Sequence, residues 1–339
     1  AAALLPGVAA AHSGAPIPDS HAPAGVMVDH MHKAGEWMVG YRYGLAISNG
    51  DTLRGTRSAS DHEIIDNGCG HGDCMMKQGS MRMHMHMLDI MYAPTDWLTL
   101  MVMPMWMSMD MRMVPLEGAM GHGGGHGGGH MGAHAHGTDG FGDTVFGALL
   151  KLSEGPGFNL HAGVMLSAPT GSVSEKNANG NFTHYMMQLG SGTWDLLPSL
   201  TYTGRAGLAS WGVQASGAVR LESENDSGYK LGDVFQTTAW GAYRVLPWLS
   251  ASLRVLYTRQ GEIEGHYNGP HGHASPPDLQ YNYGGKFIDI GFGVNAVVPD
   301  GMFKGHRLSV EWLEPVYENT NGYQQEREGT LWVNWSKAF

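Results

Sequence analysis

Residues 81–113 read MRMHMHMLDIMYAPTDWLTLMVMPMWMSMDMRM, and methionine returns in them on every second position. Met101, Met103, Met105, Met107, Met109, Met111 and Met113 form one series, and Met81, Met83, Met85, Met87 and Met91 form another that only Asp89 interrupts. Successive side chains of a strand point to opposite faces, whereas a helix would scatter this spacing around its axis. The period therefore predicts two strands, each with methionine on one face. APTDW (93–97), with Pro94 and Asp96, predicts a tight turn that folds them into an antiparallel hairpin with both rows on the same side. Pairing Ala93 with Trp97 is the expected register, which sets Asp89 against Met101, Met87 against Met103, Met85 against Met105 and Met83 against Met107.

Around this hairpin lies a chain of 339 residues with 51 Gly, 16 Pro and 15% charged residues, and it shows no helical period of useful length. No apolar run of about 18 residues occurs, which excludes a transmembrane helix. Lys and Arg number 20 against 31 Asp and Glu, without a basic stripe; this argues against nucleic acid and leaves cations and neutral solutes as partners.

From Ala34 onward the chain repeats segments of alternating hydrophobicity. GEWMVGYRYGLAIS (35–48) sends Trp37, Val39, Tyr41, Tyr43, Leu45 and Ile47 one way and Met38, Gly40, Arg42 and Ser48 the other. About twelve such segments fall near 35–48, 81–93, 97–113, 142–153, 157–169, 193–204, 207–222, 232–245, 248–264, 285–298, 305–317 and 329–339. Short and long connections alternate between them. The expected fold is all-β, a transmembrane antiparallel barrel of about twelve strands spanning 34–339, with a His/Gly-rich extracellular loop at 114–141. A soluble sandwich is the competing fold, but the rows opposite the apolar ones hold too much Gly, Ser, Asn, Arg and Glu for a buried core. The final strand ends in Phe339 with Trp335, Val333 and Leu331 on the same face, which resembles the assembly signal of bacterial outer-membrane proteins. The expected location is the bacterial outer membrane, in contact with its lipid, with both termini periplasmic. Residues 1–33 are expected to be a signal-peptide remnant followed by a periplasmic arm, or else a disordered Ala/Pro arm.

Polarity assigns the methionines to a side. Opposite them in the second hairpin strand stand Leu98, Leu100, Val102, Pro104 and Trp106, a lipid-type band closed by an interfacial Trp, and then Ser108, Asp110 and Arg112. The methionines therefore face the lumen, and Asp89 in their row suits a lumen better than lipid. Arg42, His161 and Met165 also fall on faces expected to be luminal. Thioether sulfur is soft, neutral and needs no deprotonation, so it selects Cu(I) or Ag(I), while imidazole also accepts Cu(II) and Zn(II). The alternative is that methionine merely fills an irregular lumen. At strand rise Met101 to Met113 spans about 40 Å, against a lipid band of about 25 Å, so the upper end of the row is expected to stand above the membrane.

Further candidate ligands surround the rows. His84 and His86 interleave with the first, and His122, His126, His130, Met131, His134 and His136 lie on the Gly-rich tether after the second, a metal-binding composition. Asp29, His30, Met31 and His32 precede the first strand and offer an entry or exit site, or a solvated tail. Cys69 and Cys74 bracket GHGD; in an exported protein the default is a disulfide, and the alternative is a Cys/His metal site with His71. No nucleophile and base arrangement, phosphate loop or carboxylate pair stands out, so no enzyme is expected.

HMHKAGEWMVGYRY (30–43), the hairpin, GDTVFGALLKL (142–152), MQLGSGTWDLLPSLTY (187–202), SGYKLGD (227–233) and GHRLSVEW (305–312) together resemble a family of proteobacterial outer-membrane transporters. These are grouped with the phenol-degradation meta-pathway barrels, and the similarity runs from about residue 30 to the C terminus. The resemblance implies a membrane barrel, with copper handling in some members; the expanded His/Gly loop and the Cys pair depart from the pattern. The function expected is capture of copper at the outer mouth and its passage along the methionine ladder, in concert with a periplasmic copper-handling partner. The other readings are a passive channel for small hydrophobic or aromatic compounds, and a surface copper scavenger that does not transport.

Overall fold

The computed structural model describes residues 17–70, 74–119 and 132–339. Its strands are β1 (Trp37–Gly55), β2 (Arg57–Ser58), β3 (Met76–Thr95), β4 (Leu98–Met103), β5 (Met105–Pro115), β6 (His134–Phe141), β7 (Thr144–Gly155) and β8 (Phe158–Ala168). Then follow β9 (Asp195–Ala206), β10 (Ala209–Arg220), β11 (Tyr229–Lys230), β12 (Val234–Leu246), β13 (Leu249–Gln260), β14 (Glu264–Gly265), β15 (Gly285–Val297) and β16 (Arg307–Ala338). Antiparallel pairing passes from β1 to β16, β15, β13, β12, β10, β9, β8, β7, β4 and β3, and β3 pairs back onto β1, so eleven strands close a barrel. The longest of them, β16, has 32 residues and pairs with β15 through Arg307–Thr320 and with β1 through Thr320–Ala338. A straight strand of that length would measure about 105 Å. It instead folds back near Gly322, whose φ of +55° suits glycine, and Arg327 on the returning leg donates its backbone N–H to Glu318 on the first (3.0 Å). With its two legs counted separately, the chain crosses the barrel wall twelve times.

The wall is inside-out relative to a soluble protein. Trp37, Leu100, Val102, Val164, Leu200, Val213, Leu253 and Phe292 are exposed on the outer surface, while Thr99, His161, Thr201, Gln214, Arg254, Asp289 and Glu311 are buried inside. That distribution places an apolar band against lipid and a polar interior within. No helix among the described residues is long and apolar enough to cross a membrane. Short connections (156–157, 207–208, 247–248, 298–306) gather at one end of the barrel, the turn end, and long ones at the other, the loop end.

Two elements at the loop end depart from the expected boundaries. Pro104 separates β4 from β5, because its nitrogen has no proton for the ladder; above this break β5 pairs with β6 instead of β7. The sequence reading leaves 114–141 as loop, yet His134–Phe141 is a strand, and the hairpin so formed prolongs the wall beyond the apolar band. The first long connection holds a seven-residue helix, α1 (Asp61–Asn67), capped by Ser60, and Cys69 and Cys74 are joined there in a disulfide.

The larger departure is the N-terminal arm. Its described part, 17–33, does not extend away from the barrel as a periplasmic tail but lies inside the lumen. Its backbone carbonyls accept hydrogen bonds from inward side chains all round the wall: Ile17 from Arg307 (2.8 Å), His21 from Asn295 (3.2 Å), Ala24 and Val26 from Arg42, Met27 from Gln214 (2.9 Å) and Val28 from His161 (2.9 Å). Buried Asp19 accepts from Arg244 at 2.7–2.8 Å. At its closest approach Gly25 donates to Glu311 (2.7 Å), and a β-carbon there would stand 2.7–2.8 Å from Trp332, Arg254 and Glu311, so only glycine fits. Polar groups that water would otherwise satisfy are thus paired within the protein.

Candidate functional site

Both methionine rows point into the lumen. Met81, Met87, Met91, Met101, Met103, Met107, Met109, Met111 and Met113 are buried, and Met83, Met85 and Met105 are half-buried against them. The register differs from the expected one by two residues: Thr95 pairs with Leu98 beside the turn, and after an irregularity between Tyr92 and Thr95 Met91 stands against Met101, Met87 against Met105, Met85 against Met107, Met83 against Met109 and Met81 against Met111. Asp89 consequently opposes Met103, not Met101. A slip of two preserves every face, so hydrophobic parity alone leaves it open; the tighter turn together with the irregularity between Tyr92 and Thr95 decides it. Facing residues of an antiparallel pair have Cα atoms about 4.5–5.5 Å apart. The double variant Met85→Cys, Met107→Cys is therefore expected to oxidise to an intramolecular disulfide, whereas Met83→Cys, Met107→Cys is not, as read by thiol titration of the folded protein.

The rows belong to something larger. One buried cluster at the loop end joins the upper hairpin methionines to Met75, Met76, Met186 and Met187; a second, toward the turn end, joins the lower ones to Met38, Met165 and the arm's Met27 and Met31. Met85 and Met105 pack against both clusters, so the two form one stripe. Of the 23 methionines, Met120 and Met131 lie outside the described residues, Met302 is exposed between β15 and β16, and the other twenty are in the stripe. The hairpin alone therefore understates it. Met186 and Met187 sit in an irregular stretch where no periodicity marks a face; the run HYMM (184–187), pairing the same two residue types, is the signal that sequence carried.

Charge enters the stripe at one point. Asp89 is buried in the methionine row and faces Arg42, whose Nε lies 3.7 Å from it. His161 and Met165 both point inward, His161 onto the arm and Met165 into the lower cluster. His84 and His86 do not join the methionines. They occupy the opposite face of β3, where they hydrogen-bond to the Tyr43 and Tyr41 hydroxyls (2.8 and 2.6 Å), a correction that follows from strand parity itself.

At the loop end, His134 and His136 stand opposite Met113 and Met111 on β6. The His136 ring lies 4.8 Å from that of His134 and 5.4 Å from that of His184, and His184 is paired with Asp278 at 2.8 Å. Burial, then the neighbouring His184 and His134, hold His136 below the usual imidazole range, favouring the neutral form that a metal needs. Burial raises Asp278, but the hydrogen bond and charge of His184, with further bonds from Ser275, outweigh it and hold the carboxyl below its ordinary value. These histidines, with Met76, Met113 and Asp278, line a cavity of about 690 Å³ between the loops. His122, His126, His130 and Met131 lie outside the described residues, as does His71.

Beneath the loops a second cavity of about 440 Å³ fills the barrel centre, with Met186 in its lining from the loop end and Met27 and Gly25 of the arm from below. Trp332, Phe287, Leu256 and Leu313 share its lining with Arg254, Asp289 and Arg327. At the turn end, His30 contacts His21 and His32, with ring centroids 3.9 and 4.9 Å apart. His32 is further held by its N–H to Thr99 Oγ1 (3.1 Å) and by Glu36, 3.5 Å from its Nδ1.

The family model described as "Putative MetA-pathway of phenol degradation" matches residues 114–312. Among solved structures, an outer membrane channel from Pseudomonas putida F1 is similar at 18% identity and a TM-score of 0.57, covering 91% of this chain and 97% of that one. A FadL homologue from Pseudomonas aeruginosa is similar at 8% identity and a TM-score of 0.43, covering 90% of each chain. No curated protein matches the chain significantly. The first of these structures shares the barrel fold.

Proposed function

The chain belongs to this phenol-degradation family, whose model spans more than half of it, and from that premise we propose that it is an outer-membrane β-barrel channel that binds copper as Cu(I) and moves it through the lumen. The observation that carries this reading is the continuity of the stripe: twenty sulfurs run from the His/Met cavity at the loop end to the arm at the turn end. Soft thioethers prefer Cu(I) and Ag(I) over harder ions. Neighbouring methionines on one strand face stand about 6.5–7 Å apart and cross-strand ones about 4.5–5.5 Å, distances that flexible side chains close to share an ion. Many equivalent weak sites permit transfer from one to the next, which suits passage better than storage.

The histidines at the loop end serve as collectors, since imidazole accepts both copper oxidation states. Both termini lie on the periplasmic side in this reading, and the long loops face outward. A barrel supplies no energy, so the direction follows the gradient and a periplasmic copper-handling partner. X-ray absorption on the Cu(I)-loaded protein tests the assignment: a sulfur shell around copper is expected, and a shell of nitrogen and oxygen alone overturns it.

A second reading is favoured by the central cavity, where Trp332, Phe287, Leu256 and Leu313 offer an apolar wall to a small aromatic solute. In that reading the methionines are an adaptable greasy surface and carry no metal.

A further inference from the structure

The arm holds a group of donors that the sulfur stripe does not use. His21, Asp29 and His30 each place a ligand atom within 4.8 Å of the others. Two donors bound to one tetrahedral Zn(II) at about 2.0–2.1 Å stand about 3.4 Å apart, so small rotamer changes close the distance. The hydrogen bonding is already that of a metal centre. His30 Nδ1 donates to Asp29 Oδ1 (2.8 Å), and Asp29 Oδ2 is held by the Ala22 N–H (2.8 Å). A carboxylate on one ring nitrogen fixes the tautomer and leaves the other with its lone pair free to ligate. That other nitrogen, His30 Nε2, is buried and has no hydrogen-bond partner. Buried polar atoms are rarely left so.

Access exists as well. His21 and Asp29 line a cavity of about 300 Å³ at the turn end, between the arm and the turns that join β7 to β8 and β9 to β10. The donors are imidazoles, one of them backed by a carboxylate, with no thiol or thioether among them, which suits a divalent borderline ion rather than Cu(I) or Ag(I).

We propose that His21 and His30, with Asp29 holding the His30 ring from its other nitrogen, form a divalent-metal site, of the Zn(II) or Cu(II) class, that ties together the two legs of the luminal arm. His21 lies on one leg and Asp29–His30 on the other, so an ion between them closes the bend at Gly25 where the arm meets Glu311. Binding to the seated arm alone stabilises the seated state by mass action. The site is independent of copper passage along the sulfurs and stands if that reading fails.

The test uses the whole protein, folded in detergent, with Zn(II) as probe. Anomalous diffraction at the zinc edge is expected to place an ion between His21 and His30, and calorimetry to lose one equivalent in His21→Gln and in His30→Gln. The double variant H21Q/H30Q is expected to lose that same single equivalent and no more, because both residues serve one ion. Asp29→Asn, which keeps the shape, is expected to weaken that equivalent about 10- to 100-fold. Silver uptake by the thioethers is expected to be unchanged in H21Q/H30Q. Absence of the anomalous peak in crystals whose loop histidines carry zinc overturns the proposal, as do single variants that retain the full zinc count.

Discussion

Replacing the seven methionines Met101, Met103, Met105, Met107, Met109, Met111 and Met113 with leucine is expected to lower Ag(I) affinity at least tenfold while the barrel still forms. Leucine is close to methionine in volume and polarity, and such swaps cost little in packing. What leaves is the sulfur. Five of the seven, Met101, Met105, Met107, Met109 and Met111, face Met91, Met87, Met85, Met83 and Met81 across the ladder, so at those five levels an ion that needs sulfur from both strands loses half of its ligands. Heat-modifiable migration on gels reports folding, and silver titration of the same sample reports binding. If affinity is retained in the folded variant, the methionines are packing material, and the sulfur path is wrong.

The second large effect concerns the arm. Glu311 is fully buried and serves two masters: it accepts from Arg254 (3.2 Å) and from the Gly25 N–H (2.7 Å), while Arg254 also donates to Thr238 Oγ1 (2.8 Å). Glu311→Ala leaves a buried guanidinium without its carboxylate and an arm without its anchor. Breaking a buried pair in this one-sided way costs on the order of 3–5 kcal/mol. The expected result is loss of hydrogen-exchange protection across 22–28, with exposure of the arm to protease, while the outer strands stay protected. An arm as protected as in the parent chain would show that the many other bonds to the wall hold it without Glu311.

Much of this was legible in the residues because strand parity is a hard constraint. A two-residue period has only two faces, and once Leu98, Leu100, Val102 and Trp106 took the lipid side, the methionines had to turn inward. The twelve crossings followed from the same alternation. Register did not, since a shift by two leaves both faces as they were; the Thr95–Leu98 turn and the irregularity between Tyr92 and Thr95 set it. The arm escaped for a different reason. Residues 17–33 have no period, and what holds them is their backbone, bonded to Arg42, His161, Gln214, Asn295 and Arg307 from far along the chain. Nothing in the sequence therefore singles out His21, and its proximity to Asp29 and His30 exists only once the arm is seated. His184 was hidden likewise, in a long connection whose path brings it beside His136 without any repeat to announce it.

The most direct test of the sulfur path is flux. With the purified protein in liposomes, entry of Ag(I) and of phenol are measured side by side for the parent chain and for the seven-leucine variant. The path requires that Ag(I) enter through the parent and that its flux fall in the variant while any phenol flux stays the same. Phenol passage with no Ag(I) entry, or Ag(I) flux undiminished by the loss of seven sulfurs, would contradict it.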